Sequence, residues 1–522
     1  MTEITGSNAR DVHPDNRIRK VVIVGGGTAG WMAASALRAV MPRELCRIVL
    51  VESDEIGTVG VGEATIPPIH DFNRFLGLDE NDFVRNTQAS FKLAIQYVDW
   101  SRIGHSYFNP LGALTTNWLA GGPSTELPPV YRYLVKLAVE GQNPDLDEYS
   151  PCSVAAQRNR FARPKNNSQD TTYSYAFHFD ASLYAKYLRA YAEGRGVERA
   201  EGRVADVVLR PADGFIDAIV LESGQRIDGE FFIDCSGFRS LLAGRALKVP
   251  YEDWTHWLPC DRALAVPCES AGPLLPYTRS TAREAGWQWR IPLQHRIGNG
   301  YVFSSKFISE DKAADTLLAN LDGRALDTPR LLKFTTGRRK EAWTKNCVTV
   351  GLSSGFMEPL ESTSIHLIQE AILRLIKLFP ERDCGPLVVR EYNQQMAGSF
   401  DSIRDFIILH YHATQREDTG FWRYCKYMSV PDTLRFKMDT FRRHGFIPVK
   451  PGEQFAARPW LSVMYGQGIQ PQSYPPLMDT VDRNVMGGEM AKLRSYIQQI
   501  VGQMPSHEDF IRKNCSANPV AV

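Results

Sequence analysis

The sequence has no CxxC pair; its nine cysteines stand singly along 522 residues. That absence argues against a zinc site and a redox dithiol, and an odd, dispersed set fits reduced thiols. No apolar run is long enough to span a bilayer. The first 20 residues are polar and lack the apolar centre of a signal peptide. No block of like charge stands out either, and 60 basic residues against 59 acidic ones leave a formal net charge of +1. A near-neutral chain argues against nucleic-acid binding driven by counterion release. The expectation is a soluble, cytoplasmic protein without a metal, whose partner is a small molecule.

What is present points to an α/β fold with a large core, since 43% of the residues are hydrophobic. Val21-Val22-Ile23-Val24 reads as a buried strand and runs into Gly25-Gly26-Gly27-Thr28-Ala29-Gly30. Trp31 to Leu37 suits a helix that stops near Pro42, and Arg47 to Val51 reads as a second strand ending in Glu52. Strand, GxGxxG, helix, strand and acid follow one another as in a dinucleotide-binding unit. A Cβ at these glycines would block the turn or the pyrophosphate, and the helix start offers amides and a positive dipole to phosphate. Gly25, Gly27, Thr28, Ala29 and Gly30 are the candidate phosphate cradle. Glu52 is placed to accept from a ribose hydroxyl. The alternative is a glycine turn with a purely structural role.

FAD rather than NAD is favoured by analogy with flavoenzymes that bring a second strand and small-residue turn to the cofactor. Here that segment is Phe231-Phe232-Ile233-Asp234-Cys235-Ser236-Gly237, which also reads as an ordinary buried strand. No second GxGxxG–helix unit follows, so the chain lacks the two cofactor sites of an enzyme that reduces its own flavin with NAD(P)H.

Three further strings are Gly60-Val61-Gly62-Glu63-Ala64-Thr65-Ile66-Pro67, Trp287-Gln288-Trp289-Arg290-Ile291-Pro292 and Glu358-Pro359-Leu360-Glu361-Ser362-Thr363-Ser364-Ile365. In order and spacing, from about residue 18 to about 430, the chain resembles the flavin-dependent tryptophan halogenases. The resemblance implies a Rossmann-like, aromatic hydroxylase-like FAD core over residues 18–380. It further implies a flexible tail over 1–17 and a mostly helical, substrate-covering region over 381–522. It implies a chemistry in which reduced FAD, delivered by a separate flavin reductase, and O2 oxidise chloride or bromide. Hypohalous acid then travels inside the protein to a lysine beside an aromatic substrate.

Lys92 matches the family lysine. By alternation, Ser90 to Tyr97 reads as one strand with Phe91, Leu93, Ile95 and Tyr97 on one face and Lys92, Ala94 and Gln96 on the other. A lysine so placed is ordinarily solvated; the resemblance makes it catalytic, as an ammonium bonding hypohalous acid or as an amine carrying the halogen. Glu361 matches the paired glutamate, which would stabilise the cationic ring and help remove its proton. It also reads as a carboxylate at a helix start. Ile365, Ile368, Ile372, Leu375, Ile376 and Phe379 mark the apolar face of that helix, ending before Pro380, with Ser362 or Thr363 as its cap.

The resemblance places halide on the amides of Thr363 and Ser364. Many members carry glycine where Ser364 stands, and a serine fits less easily if the site needs a positive φ. Trp287 and Trp289 are two inward-facing aromatics of a strand; the resemblance makes them the wall between flavin and substrate, which prevents direct hydroxylation. Ala64, Val204, Leu352 and Ile365 are the remaining flavin positions it implies.

The substrate end matches less well. Family members for free tryptophan use a tyrosine pair and a glutamate to hold the amino acid. Phe446-Ile447-Pro448 and Gln454 stand there in this chain, and Asn109-Pro110-Leu111-Gly112 stands where a histidine and a phenylalanine would sandwich the indole. Pro110, Leu111, Gln454 and Trp460 are therefore the candidate substrate pocket; Pro459, Trp460, Met464 and Tyr465 read equally well as core filler. Indole or an indole derivative is expected, rather than free tryptophan. A single-component FAD hydroxylase is the main alternative, but Val350-Gly351-Leu352-Ser353-Ser354-Gly355 lacks the aspartate such enzymes use on the ribityl chain. A flavin-binding protein without catalysis is the other alternative.

Overall fold

A computed structural model describes residues 15–55, 62–112, 130–142, 144–164, 173–480 and 482–518. Residues 1–14 of the expected tail, and Gly60 and Val61 of the second motif, lie outside the described residues.

The glycine-rich segment forms as its sequence dictates. Strand β1 (Lys20–Val24) leads into helix α1 (Thr28–Val40), and β2 (Arg47–Glu52) returns parallel to β1 with Val22 opposite Val49. These strands are hydrophobic on both faces because helices or other chain cover both. They sit in a six-stranded sheet with 198–201 beyond β2 and Phe231–Asp234, then 347–349 and 343–344, beyond β1. Helix α1 starts three residues earlier than its apolar periodicity suggests, because Thr28 and Ala29 already lie in helical turns.

A second sheet has seven strands. In spatial order they cover 330–333, 262–268, 297–303, 286–292, 277–283, 94–98 and 106–110. A three-stranded sheet sets Ala176–Asp180 between Gly62–Ala64 and β3 (Ser90–Lys92).

Here the single alternating strand expected from Ser90 to Tyr97 is corrected. It breaks at Leu93 into β3 and β4 (Ala94–Val98), which belong to different sheets. The Leu93 amide donates to the Pro276 carbonyl at 2.7 Å and its carbonyl accepts from Leu111 at 2.9 Å, so the chain changes partners at that residue. Strand β5 (Ser106–Pro110) then pairs antiparallel with β4, Asn109 opposite Ile95.

Beyond residue 380 the regular elements among the described residues are helices, including α3 (Pro386–His412) and α4 (Ala457–Gly466). They follow α2 (Ser364–Lys377), whose Ile365, Ile368, Ile372 and Leu375 are buried as the periodicity requires. No described helix is long and apolar enough to cross a membrane. All nine cysteines are buried and unpaired with one another.

Candidate active site

An elongated, mostly apolar cavity starts at the glycine turn and ends at the seven-stranded sheet. Gly27, Thr28 and Ala29 line one end and Trp287, Trp289 and Ile291 the other. Gly25 has φ +114°, and a Cβ there would fall 2.2 Å from the Cys235 carbonyl oxygen; one on Gly30 would fall 1.8 Å from the Gly25 carbonyl oxygen. Only glycine fits this turn. The returning strand Phe231–Asp234 thus meets the glycine turn through Cys235, which lines the cavity together with Gly237. A turn that only glycine can make, an α1 start facing the cavity and a long apolar slot behind it suit a dinucleotide with a flat ring system. Glu52 folds across Gly26, where a Cβ would collide with its carboxylate. Its Oε1 accepts from Arg199 at 2.7 Å.

Ala64, Leu352 and Ile365 line the cavity. Val204 does not; it begins a strand of a separate three-stranded sheet and packs on the Ile219 and Leu221 cluster, because the strand 198–201, paired with β2, ends at Gly202. Glu63, which sequence reasoning passed over, also lines the cavity, and burial pushes its carboxyl up to about 7.

Thr363 and Ser364 line the cavity as well. Thr363 is the cap position of α2 but its side chain caps nothing, and the Ser362 hydroxyl is spent elsewhere. The expected side-chain cap is therefore absent, and first-turn amides of α2 have no partner from the helix itself. The positive φ belongs to Ser362, at 59°, and not to Ser364, which starts the helix.

Neither Lys92 nor Glu361 lines this cavity. Both lie behind it, 0% and 3% exposed. Lys92 Nζ donates to the Thr65 carbonyl at 2.9 Å and to Ser362 Oγ at 2.7 Å. Thr65 follows Ala64 and Ser362 precedes Thr363, so the lysine is bonded to the two segments that border the cavity. Burial pushes its amine down to about 7, against the opposing pull of the Glu361 charge. Two of three ammonium donors are used, which leaves one N–H, or a lone pair in the neutral amine.

Glu361 is surrounded by groups that sequence reasoning did not single out. Its carboxylate accepts from the Tyr97 hydroxyl and from Asn109 Nδ2 at 3.1 and 3.2 Å. His410 Nε2 lies 2.8 Å from Oε1, and His410 Nδ1 lies 2.8 Å from the Phe406 carbonyl oxygen. Burial, then the Glu361 charge, holds the Tyr97 hydroxyl well above its ordinary range. Asn109 was within the quoted substrate segment, but nothing in its spacing marks it as a partner of Glu361.

Trp287 and Trp289 are alternate residues of one strand, β6 (Gly286–Pro292), with ring centres 6.2 Å apart. Trp287 faces the cavity and also packs 6.4 Å from Trp100, which lies 6.1 Å from the His410 ring. The indole thus lines the cavity and is linked through Trp100 to His410 beside Glu361.

The candidate substrate residues are dispersed. Pro110 pairs with Ala94 next to Lys92, and Leu111 follows it, half-buried; residues 113–129 lie outside the described residues. Gln454 Oε1 lies 2.5 Å from His366 Nε2. Trp460 is 1% exposed, with its ring centre 4.7 Å from Phe406 and the Lys437 ammonium 4.5 Å over it. Burial and these two contacts make Trp460 a core residue, in keeping with its reading as core filler.

The tryptophan halogenase family model matches residues 20–483. Tryptophan 6-halogenase SttH from Streptomyces toxytricini is 36% identical over 515 residues, covering 94% of this chain and 97% of that protein. The solved structure of Xcc4156, a flavin-dependent halogenase from Xanthomonas campestris, superposes with a TM-score of 0.92 at 46% identity, covering 97% of this chain and 100% of that one. That of BrvH, a flavin-dependent halogenase from Brevundimonas sp. BAL3, gives 0.90 at 43%, covering 95% and 99%. Family membership brings with it an enzyme that uses flavin, O2 and halide. The chain belongs to the flavin-dependent tryptophan halogenase family.

Proposed function

We propose that this enzyme chlorinates or brominates an indole-type aromatic substrate, with Lys92 delivering the halogen and Glu361 taking the ring proton. The observation that carries the reading is the pair of Lys92 bonds to Thr65 and Ser362. They hold a fully buried amine beside the turn that presents Glu361. Reduced FAD, supplied by a separate NAD(P)H-dependent reductase, provides with O2 the oxidation of halide to an electrophilic halogen.

The chain's own residues do the rest. Gly25 to Gly30 and the start of α1 bind the phosphates, and the Glu52 carboxylate faces the ribose. Amides of Thr363 and Ser364 hold halide at the cavity edge. Trp287 and Trp289 separate the cofactor from the organic substrate. Lys92 receives the oxidised halogen through its one remaining N–H, or through its lone pair when neutral. Ring attack on the halogen forms a C–X bond as the bond from halogen to the hypohalous oxygen, or to the Lys92 nitrogen, breaks. Its electron pair leaves with hydroxide, released as water, or returns to the amine, and the ring is left as a cation. Glu361 then accepts the ring proton as the C–H electron pair returns to the ring.

Indole or an indole derivative is preferred over free tryptophan. A neutral Gln454 already engaged by His366 offers no charge to an ammonium, and a buried ammonium without its partner costs a site several kcal/mol, on the order of 2–5. Turnover of indole and of L-tryptophan, each with a supplied flavin reductase, tests this. Faster turnover of indole is expected; a clear preference for tryptophan refutes the substrate assignment.

A further inference from the structure

Glu358 opens the motif that carries Glu361, yet no step above uses it. It is 0% exposed. Its Oε2 accepts from the Trp287 indole N–H and from the Tyr411 hydroxyl, each at 2.5 Å, while Oε1 has no partner. Burying a carboxyl with one oxygen unpaired is costly, and burial pushes it up to about 7. An apolar side chain would fill the space without that cost. What it could not do is fix the orientation of an indole.

Trp287 is the ring that needs fixing. It lines the cofactor cavity and also packs against Trp100, which in turn neighbours His410 beside Glu361. Glu358 joins that ring to Tyr411 of α3, and it stands three residues before Glu361 across a short 3-10 turn. One carboxylate thereby ties the partition, the helix behind it and the catalytic turn together.

We propose that Glu358 is a positioning residue for halogenation, holding the Trp287 indole as a fixed partition between the cofactor cavity and the Lys92–Glu361 pocket. The inference rests on the halogenase reading above. With the bond lost, the indole is free to turn, and oxidised halogen leaks away as free hypohalous acid before it reaches Lys92. Oxygen consumption continues while product per oxygen falls.

The test measures bromoindole formed per O2 consumed by the full-length enzyme with FAD, a flavin reductase, bromide and indole. FAD affinity is followed alongside by fluorescence titration. Glu358→Leu and Trp287→Phe are each expected to lower the ratio about tenfold, the worth of one hydrogen bond to a charged acceptor. Glu358→Gln keeps an acceptor oxygen for both donors and is expected within about twofold of wild type. The double variant Glu358→Leu/Trp287→Phe falls no lower than Trp287→Phe alone, because both remove one interaction. FAD affinity stays unchanged in Glu358→Leu and Glu358→Gln, since Glu358 does not line the cavity.

Wild-type coupling in Glu358→Leu, or independent losses that add in the double variant, would overturn the proposal. If Glu358→Leu does not fold, the other two single variants decide. Wild-type coupling in Trp287→Phe, or Glu358→Gln as uncoupled as Trp287→Phe, contradicts the proposal. A wild-type enzyme that forms no bromoindole at all contradicts the halogenase reading instead.

Discussion

Lys92 donates from Nζ to the Ser362 hydroxyl at 2.7 Å, so the lysine is fastened to the residue that follows Glu361 rather than to the carboxylate itself. The carboxylate is held by Tyr97 and Asn109, with His410 alongside. Two buried groups of opposite charge type thus meet at one turn, each held by other partners.

Lys92→Ala removes the buried amine proposed to receive the halogen. Halogenation is expected to fall at least about 100-fold, a typical loss for a group acting in the chemical step. The fold and FAD affinity should persist, since Lys92 does not line the cofactor cavity. Product mass spectrometry and a fluorescence titration of FAD check the two halves separately.

The burial of Lys92 makes stability depend on pH with a definite sign. Its amine is pushed from 10.5 down to about 7, so between those values the unfolded chain binds a proton that the folded chain does not. The resulting destabilisation is absent above 10.5, grows as pH falls, and is complete below 7. Lys92→Met should therefore raise the melting temperature most at neutral pH and least near pH 10.5. Thermal unfolding of both proteins across that window reads the difference.

Ser362 combines φ 59° with the Lys92 bond. Ser362→Gly suits that backbone, so stability should move by less than about 1 kcal/mol. Turnover should drop about tenfold from the lost hydrogen bond. Parallel melting and turnover measurements separate backbone from side chain.

Gly25→Ala meets both a φ of +114° and a carbonyl oxygen 2.2 Å from its new methyl. About 3 kcal/mol or more of strain is expected, with FAD binding weakened because the turn must shift. A fluorescence titration of FAD against wild type checks it.

The sequence made the dinucleotide unit legible because its signals are local: a turn only glycine can make, between a strand and a helix. The helix after Glu361 was legible for the same reason, through the period of Ile365, Ile368, Ile372 and Leu375. The change of sheet at Leu93 was not, because alternation continues through a break that only distant partners, Pro276 and Leu111, enforce. The company of Glu361 was hidden too. Tyr97, Asn109 and His410 are 264, 252 and 49 residues away and meet it only through tertiary packing. Val204 matched by position along the chain but begins a separate sheet, and Trp460, which read equally as pocket wall or core filler, is buried against Phe406 and Lys437.

The most direct test is mass spectrometry of indole incubated with the enzyme, FAD, a flavin reductase, O2 and bromide, run beside Lys92→Ala. The account predicts bromoindole, recognised by the bromine isotope doublet, from the wild type and none from the variant. Hydroxylated indole from the wild type, or equal bromination by both proteins, would contradict it.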